Sequence, residues 1–239
     1  MSALERMVVI VTITFVAMKV VVLAVARAPL TWRQRLAFFA WPGMRPALFA
    51  SLGGAPRPGA ASLAWRGARN AAAGAALFAI ARLLEAPWLA MIAISLLMHF
   101  GAFTLLAAFW RTRGVAANAL FRAPLAARSL AELWSRRWNV GYSEMIALLV
   151  HRPVCARFGP RAALAASFLV SGLLHELAIT VPIGASYGLP TLYFAIQGIG
   201  VAIERRRELG PAWVIPWLVI PLPLCFPPPF VEQIIRPLV

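Results

Sequence analysis

A histidine on a serine-rich face is the first feature of this sequence that could carry chemistry. Ser167, Ser171 and His175 are spaced by four, and Glu176 follows directly. This spacing places side chains on one face of a helix. A neutral histidine enclosed in an apolar cavity can accept a proton during a reaction. The pattern predicts a proton-handling site, although a structural hydrogen bond between helices would use the same residues.

A second polar cluster begins at Ser129 and reads Ser-Leu-Ala-Glu-Leu-Trp-Ser-Arg-Arg-Trp-Asn. Ser129 with Glu132 three residues later is a capping pattern that predicts the start of a helix. Trp134 and Trp138 would then share one apolar ridge of that helix. An interfacial amphipathic helix, anchored by the two tryptophans, is the alternative interpretation.

The end of this cluster carries groups that suit an anionic substrate. Arg136 and Arg137 have forked donors that match phosphate, and Asn139 follows them. The next apolar stretch, Val140–Val150, is too short to cross a membrane. We therefore predict a re-entrant or tilted segment that brings Asn139 to the mouth of a cavity.

Two motif matches fail in their context. Gly184-Ala185-Ser186-Tyr187-Gly188 matches G-x-S-x-G, but it reads as a turn between apolar runs rather than a strand-to-helix elbow. The run that begins His175-Glu176 lacks the second histidine of H-E-x-x-H, so no metal site is expected. Cys155 and Cys225 lie in different regions, which excludes a disulfide framework.

The composition is that of a membrane protein. Hydrophobic residues make up 62% of the 239 residues and charged residues only 13%, whereas soluble domains carry about a quarter charged residues. Basic residues outnumber acidic ones by 23 to 8. Because the arginines fall between apolar runs, the charge indicates anionic headgroups or an anionic substrate rather than nucleic acid.

The apolar runs predict an all-α polytopic membrane protein, with about six transmembrane helices plus interfacial or re-entrant helices. The predicted spans are Met7–Ala26, Asn70–Leu84, Trp88–Trp110, Ala162–Val181, Tyr187–Ile203 and Ala212–Phe226. Leu36–Phe49 is apolar but too short to span, so it is expected at the interface. Residues 1–239 are expected to form a single integral-membrane domain.

The distribution of basic residues predicts the orientation. The segments 27–69, 111–161 and 204–211 hold 19 of the 23 basic residues. The positive-inside rule makes these segments cytoplasmic, which gives an N-out, C-out topology. Richness in alanine and arginine suggests a bacterial inner membrane as the location.

At the two polar clusters the sequence resembles the membrane-bound O-acyltransferase superfamily, in its wax-synthase-like branch. The resemblance rests on the run from Ser129 to Asn139 and on Ser-Gly-x-x-His-Glu, whose His175 comes 36 residues after Asn139. Further similar stretches are Phe39–Met44, Phe194-x-x-Gln197-Gly198 and Pro221–Phe230.

The resemblance implies an acyl-CoA-dependent transfer of a fatty acyl group to a lipophilic alcohol within the bilayer. His175 and Asn139 would occupy the catalytic positions, with acyl-CoA as co-substrate and no bound cofactor or metal. The expected substrate-binding residues are Trp134, Trp138, Arg136, Arg137, Ser171 and Glu176.

Two other functions fit the same residues. A proton-linked transporter could use His175, Glu176 and His99 as a relay, but it would predict inverted repeats, and the sequence contains none. A catalytically silent membrane scaffold could retain every motif.

Overall fold

The computed structural model describes residues 1–204 and 209–239, and this part of the chain contains helices, turns and loops but no strand. The predicted all-α class is confirmed. The basic cluster Arg205–Arg207, within the predicted cytoplasmic segment 204–211, lies outside the described residues.

Three helices of the described chain are long and apolar enough to cross a membrane: Ala3–Ala26, Pro87–Thr112 and Val140–Ile183. A fourth span is possible if Pro211–Cys225 and Pro228–Leu238, which are bent by 69° relative to each other, count as one crossing. The polytopic character is therefore confirmed, while six spans and their orientation stay predictions.

Two predicted spans have different bounds in the structure. The expected Asn70–Leu84 span is part of a longer helix, Ala60–Leu83, whose first half contains Arg66 and Arg69. The expected Tyr187–Ile203 span is the helix Leu189–Ile203, whose 15 residues are fewer than the roughly 20 that a perpendicular crossing needs.

The element that carries His175 is longer than the sequence pattern predicts. The expected segments Val140–Val150 and Ala162–Val181 belong to one helical element, Val140–Ile183, with a sharp bend at Gly159. Gly159 has φ 81° and is followed by Pro160. Glycine tolerates this backbone conformation, and proline favours a new helical start after it. The bend lets one element supply two walls of a site.

The described chain divides into two compact units, 1–18 with 123–234 and 19–122 with 235–239. The first unit has a core formed by Ala127, Leu130, Leu133, Val201 and Val214. Burial of these apolar side chains stabilises the helix start at Leu130 against the Leu189–Ile203 helix.

The second unit is built around the helices Ala60–Leu83 and Pro87–Thr112 in close contact. A Cβ atom added to Gly74 would lie 2.6 Å from the backbone nitrogen of Leu97. Small residues allow such close packing of helices in an apolar environment, where van der Waals contact provides much of the stability.

Candidate active site

The second polar cluster forms a capped helical turn. The Ser129 hydroxyl accepts a hydrogen bond from the Glu132 N–H at 3.0 Å, which confirms the predicted helix start. The Glu132 carboxylate accepts from the Arg128 N–H at 2.8 Å and from Arg137 Nε at 2.8 Å. These two contacts hold the pKa of Glu132 below its usual range.

Asn139 lies at the junction between this turn and the Val140–Ile183 helix. Its backbone is left-handed, with φ 43° and ψ 60°, a conformation that asparagine tolerates better than most residues. The Asn139 Oδ1 atom accepts a hydrogen bond from the Tyr142 N–H at 3.3 Å and so caps the helix. Because the oxygen is engaged, the amide nitrogen Nδ2 is the group left to donate to a ligand.

The serine–histidine face has the predicted helical geometry. The hydroxyls of Ser167 and Ser171 donate to the carbonyl oxygens of Ala163 and Ser167, at 2.7 and 2.8 Å. His175 Nδ1 lies 2.7 Å from the Ser171 carbonyl oxygen. A carbonyl only accepts, so Nδ1 carries the proton, and in the neutral ring Nε2 has the free lone pair. This backbone contact sets the tautomer that a general base requires.

His175 and Asn139 line the same cavity, which has a volume of about 410 Å³. Three of the predicted substrate-binding residues, Trp134, Trp138 and Ser171, line it as well. The remaining lining residues are Ala131, Ser135, Tyr142, Ser143, Ile146, Ala147, His151, Leu164, Ser167, Phe168, Phe194 and Val201. This volume lies within the range of about 300–1,000 Å³ that is typical of small-molecule sites.

Aromatic rings surround the histidine. The ring centroids of His175 and Phe194 are 4.3 Å apart, and Tyr142 meets His175 edge-on at 6.4 Å. Trp134 packs against Phe194 at 5.6 Å. Aromatic walls of this kind accept apolar chains next to the His175 imidazole.

Tyr142 and Phe194 were not assigned to the site by the sequence reasoning. Tyr142 comes three residues after Asn139, and that spacing on a helix was the available signal. The Tyr142 hydroxyl is buried next to Ser171 and makes no hydrogen bond within residues 1–204 and 209–239 that meets ordinary geometry. Phe194 belongs to a separate helix, so only the packing of the two helices brings it to His175.

Gln197 acts behind the cavity wall. Its side chain is fully buried, accepts from Trp134 Nε1 at 3.4 Å and donates to the Trp217 carbonyl oxygen at 2.7 Å. These bonds fix the orientation of the Trp134 ring, so Gln197 positions a lining residue without lining the cavity itself.

Glu176 does not line the cavity. Its carboxylate accepts from the Thr191 N–H at 3.0 Å, from the Thr191 hydroxyl at 2.8 Å and from the Thr180 hydroxyl. Consecutive residues of a helix point in different directions, so the cavity side of the helix at this level is occupied by His175. Glu176 instead connects its own helix to the Leu189–Ile203 helix.

The two arginines predicted to bind phosphate also lie outside the cavity lining. Arg137 pairs with Glu132 at 2.8 Å and donates to the Ala123 carbonyl oxygen at 3.1 Å. Arg136 is exposed and makes no hydrogen bond within the part of the chain that the structure describes. Of the two guanidinium groups, that of Arg136 is therefore the more available to an anionic ligand.

Residues 117–196, which include both Asn139 and His175, match the family model described as membrane bound O-acyl transferase family. This segment, about a third of the chain, is similar to the membrane-bound O-acyltransferases. The resemblance inferred from the two polar clusters is thereby confirmed.

Curated relatives support the wax-synthase-like branch of this family. Probable long-chain-alcohol O-fatty-acyltransferase 1 of Arabidopsis thaliana is 37% identical over 106 residues, which are 38% of this chain and 31% of the relative. Probable long-chain-alcohol O-fatty-acyltransferase 2 of the same plant is 35% identical over 103 residues, 38% and 30% of the two chains. Long-chain-alcohol O-fatty-acyltransferase of Simmondsia chinensis is 27% identical over 121 residues, which are 42% of this chain and 34% of the relative.

The matched part of this chain spans about a third of the length of these relatives. The family description and the apolar helices support a membrane location. The relatives are plant proteins, so they give no support to a bacterial inner membrane. No solved structure matches the chain at a significant level.

Proposed function

We propose that this protein transfers a fatty acyl group from acyl-CoA to the hydroxyl group of a lipophilic alcohol. The observation that carries the proposal is the shared cavity of His175 and Asn139, in which the Ser171 carbonyl oxygen sets the histidine tautomer. A base and an amide donor that line one largely apolar cavity suit acyl transfer between two lipophilic substrates. The names of the plant relatives support the same reaction.

The reaction follows from the two side chains. His175 Nε2 takes the proton of the alcohol while the alcohol oxygen attacks the thioester carbonyl carbon. Asn139 Nδ2 donates to the carbonyl oxygen as negative charge develops on it. The intermediate then expels the CoA thiolate, which receives the proton from His175. The products are an ester and free CoA, and the histidine returns to its neutral form.

The substrates divide between the apolar and basic parts of the protein. The aromatic side chains of Trp134, Phe168 and Phe194 offer a surface to the acyl and alcohol chains. Arg136, exposed and without a hydrogen-bond partner in residues 1–204 and 209–239, is suited to a phosphate of CoA. Arg136→Ala should therefore raise the KM for acyl-CoA. Arg66→Ala, which removes another exposed arginine, is the control with the same charge change.

Purified protein in lipid, supplied with radiolabelled long-chain acyl-CoA and a panel of alcohols, tests the proposal. Ester formation that is lost in His175→Ala, with an unchanged elution profile of the variant, would support the reaction and identify the acceptor class. Saturable binding of acyl-CoA without ester formation would support acyl-CoA as the donor and show that none of the tested alcohols is the acceptor. Absence of both would reject the proposal in favour of a carrier or a silent scaffold.

We also infer six membrane-crossing segments with both termini outside. The basis is the clustering of 19 of 23 basic residues in segments 27–69, 111–161 and 204–211. In a variant whose Cys155 and Cys225 are replaced by serine, single cysteines at Ser2 and Arg57 should react differently with an impermeant maleimide. Labelling at Ser2 but not at Arg57 from the outside is expected, and the reverse would overturn the orientation.

A further inference from the structure

A second concave surface lies at the end of the first helix, within the unit formed by residues 19–122. It is an open groove with a volume of about 540 Å³, and it is lined by Val20, Leu23, Ala24, Arg27, Ala28, Pro29 and Arg35. We name it the Arg27–Arg35 groove. Five of its seven lining residues are apolar, and both of its charged groups are cationic.

Arg27 occupies a position where glycine is usual. It directly follows Ala26, the last residue of the first helix, and its backbone is left-handed with φ 46°. Helices commonly end with a glycine in this conformation because a side chain strains it. The Arg27 guanidinium makes no hydrogen bond or ion pair within the described part of the chain. A strained residue with an unused charged group is typical of a ligand contact.

Arg35 lines the groove from the first turn of the Trp32–Phe39 helix. Its Nε donates to the Leu30 carbonyl oxygen at 3.1 Å, which orients the guanidinium and leaves its two terminal nitrogens for a ligand. Thr31 and Gln34 form a reciprocal capping box at the start of the Trp32–Phe39 helix. The position of Arg35 is thus set by local hydrogen bonds rather than by a partner carboxylate.

Lys19 connects the two sides of the groove. Its side chain is fully buried, and Nζ donates to the carbonyl oxygens of Phe38 and Gly43 at 2.9 and 2.6 Å. This contact ties the first helix to the Trp32–Phe39 helix, so the groove is a formed site rather than a gap between mobile segments.

The surrounding sequence contains no acidic partner for these arginines. Seven arginines lie between residues 27 and 69, whereas the sequence has no Asp or Glu between Glu5 and Glu85. Two guanidinium groups at one groove favour a phosphate, which they can bind with forked hydrogen bonds.

The location of the groove indicates which phosphate it binds. The 24-residue first helix is about 36 Å long at roughly 1.5 Å per residue, so it crosses a hydrocarbon core about 30 Å thick. Arg27, one residue after its end, then lies at the level of the lipid headgroups. Val20, Leu23 and Ala24 line the groove over the last turns of the helix, at the depth of the acyl chains.

We propose that the Arg27–Arg35 groove binds one anionic phospholipid. The lipid phosphate lies between the two guanidinium groups, and an acyl chain follows the wall formed by Val20, Leu23 and Ala24. A free phosphate or the nucleotide part of CoA would leave this apolar wall uncovered. The proposal is independent of the acyltransferase reaction.

The test compares two double variants with the same change in charge. The full-length protein is reconstituted in vesicles of equal parts phosphatidylglycerol and phosphatidylcholine, extracted in mild detergent and examined by native mass spectrometry for retained lipid. Arg27→Gln with Arg35→Gln removes both groove charges. Arg66→Gln with Arg69→Gln removes two exposed arginines of the Ala60–Leu83 helix that do not line the groove.

We expect one tightly retained phosphatidylglycerol per wild-type chain and about ten-fold weaker retention in the groove variant, since each basic residue near an anionic lipid contributes several-fold to binding. The Arg66/Arg69 variant should resemble wild type. If both double variants lost phosphatidylglycerol to the same extent, the attraction would be diffuse and electrostatic. If the wild-type protein retained phosphatidylcholine as well as phosphatidylglycerol, the binding would be purely apolar. Either result overturns the proposal, as does unchanged retention in the groove variant.

Leu23→Asn tests the acyl-chain part separately, because it makes the wall polar without changing the charge of the groove. A neutral polar side chain on the groove wall should weaken retention of long-chain phosphatidylglycerol, while binding of soluble glycerol phosphate stays as in wild type. Strong binding of glycerol phosphate alone, competing with the lipid, would identify a headgroup-sized anion as the true ligand and reject the phospholipid.

Discussion

Asn139 has two roles that different substitutions can separate. Its Oδ1 atom caps the Val140–Ile183 helix by accepting from the Tyr142 N–H, and in the proposed reaction its Nδ2 atom donates to the thioester oxygen. Asn139→Asp keeps the capping acceptor and removes the donor. Asn139→Gly removes both but suits the left-handed backbone at φ 43°. Asn139→Ala removes both and strains the backbone.

The expected magnitudes follow from these differences. Loss of an oxyanion donor costs about 2.7–4 kcal/mol of transition-state stabilisation, or about 10²–10³ in kcat, and this applies to all three variants. The free energy of unfolding should change little for Asp and by a few tenths of a kcal/mol for Gly. For Ala it should fall by about 2–3 kcal/mol, from the lost cap and the left-handed backbone together.

The assay measures ester formation at saturating radiolabelled acyl-CoA, and thermal unfolding of each variant is measured separately in the same detergent. We expect kcat to fall by at least about 10²-fold in all three variants, and most in Asn139→Asp because its carboxylate also repels the developing negative charge. Stability should fall markedly only in Asn139→Ala. Wild-type kcat in Asn139→Asp would refute the donor role. If only Asn139→Ala lost kcat, the role of Asn139 would be limited to capping the helix.

Three further predictions concern residues around the cavity. Phe168 lines both the active-site cavity and a neighbouring groove of about 570 Å³, and it separates the two. Phe168→Ala should therefore shift the enzyme's preference toward substrates with longer hydrocarbon chains. An unchanged chain-length profile would contradict this. Thr191→Val should lower the free energy of unfolding by about 1–3 kcal/mol because the Glu176 carboxylate loses one of its hydrogen-bond donors. The kcat of the folded variant should equal the wild-type value, and a lower kcat would indicate that Glu176 takes part in the reaction. The lowered pKa of Glu132 stabilises the fold above the ordinary carboxyl range near pH 4.3, and this contribution is lost as the pH falls through the folded pKa. Thermal unfolding of Glu132→Gln should therefore depend less on pH between about 5 and 3 than that of wild type, and parallel curves would contradict the assignment.

Much of the fold class and part of the site were predictable from sequence because their signals are local. Apolar runs interrupted by arginine predict membrane helices without any knowledge of packing. The cap at Ser129 depends on residues three apart, and the face that carries Ser171 and His175 depends on a spacing of four. Asn139 could be paired with His175 only because the two motifs together resemble a known family.

Long-range packing decided the rest. Neighbouring residues cannot share one helical face, so His175 faces the cavity while Glu176 binds Thr191 on another helix. In the same way Arg137 pairs with Glu132 rather than facing the cavity. No spacing in the sequence encodes which of two adjacent polar residues meets the cavity, because that depends on the bend at Gly159 and on the helix packed alongside.

The sequence by itself thus indicated an apolar, helical membrane protein, and it predicted that His175 and Asn139 belong to one site. Only the tertiary structure decided that the two line one cavity, which atom of the histidine is free, and that Phe194 packs on its ring. The physical reason is that helix formation and membrane partition depend on neighbouring residues and composition, whereas a cavity is made by side chains distant in sequence whose contacts form only when the helices pack.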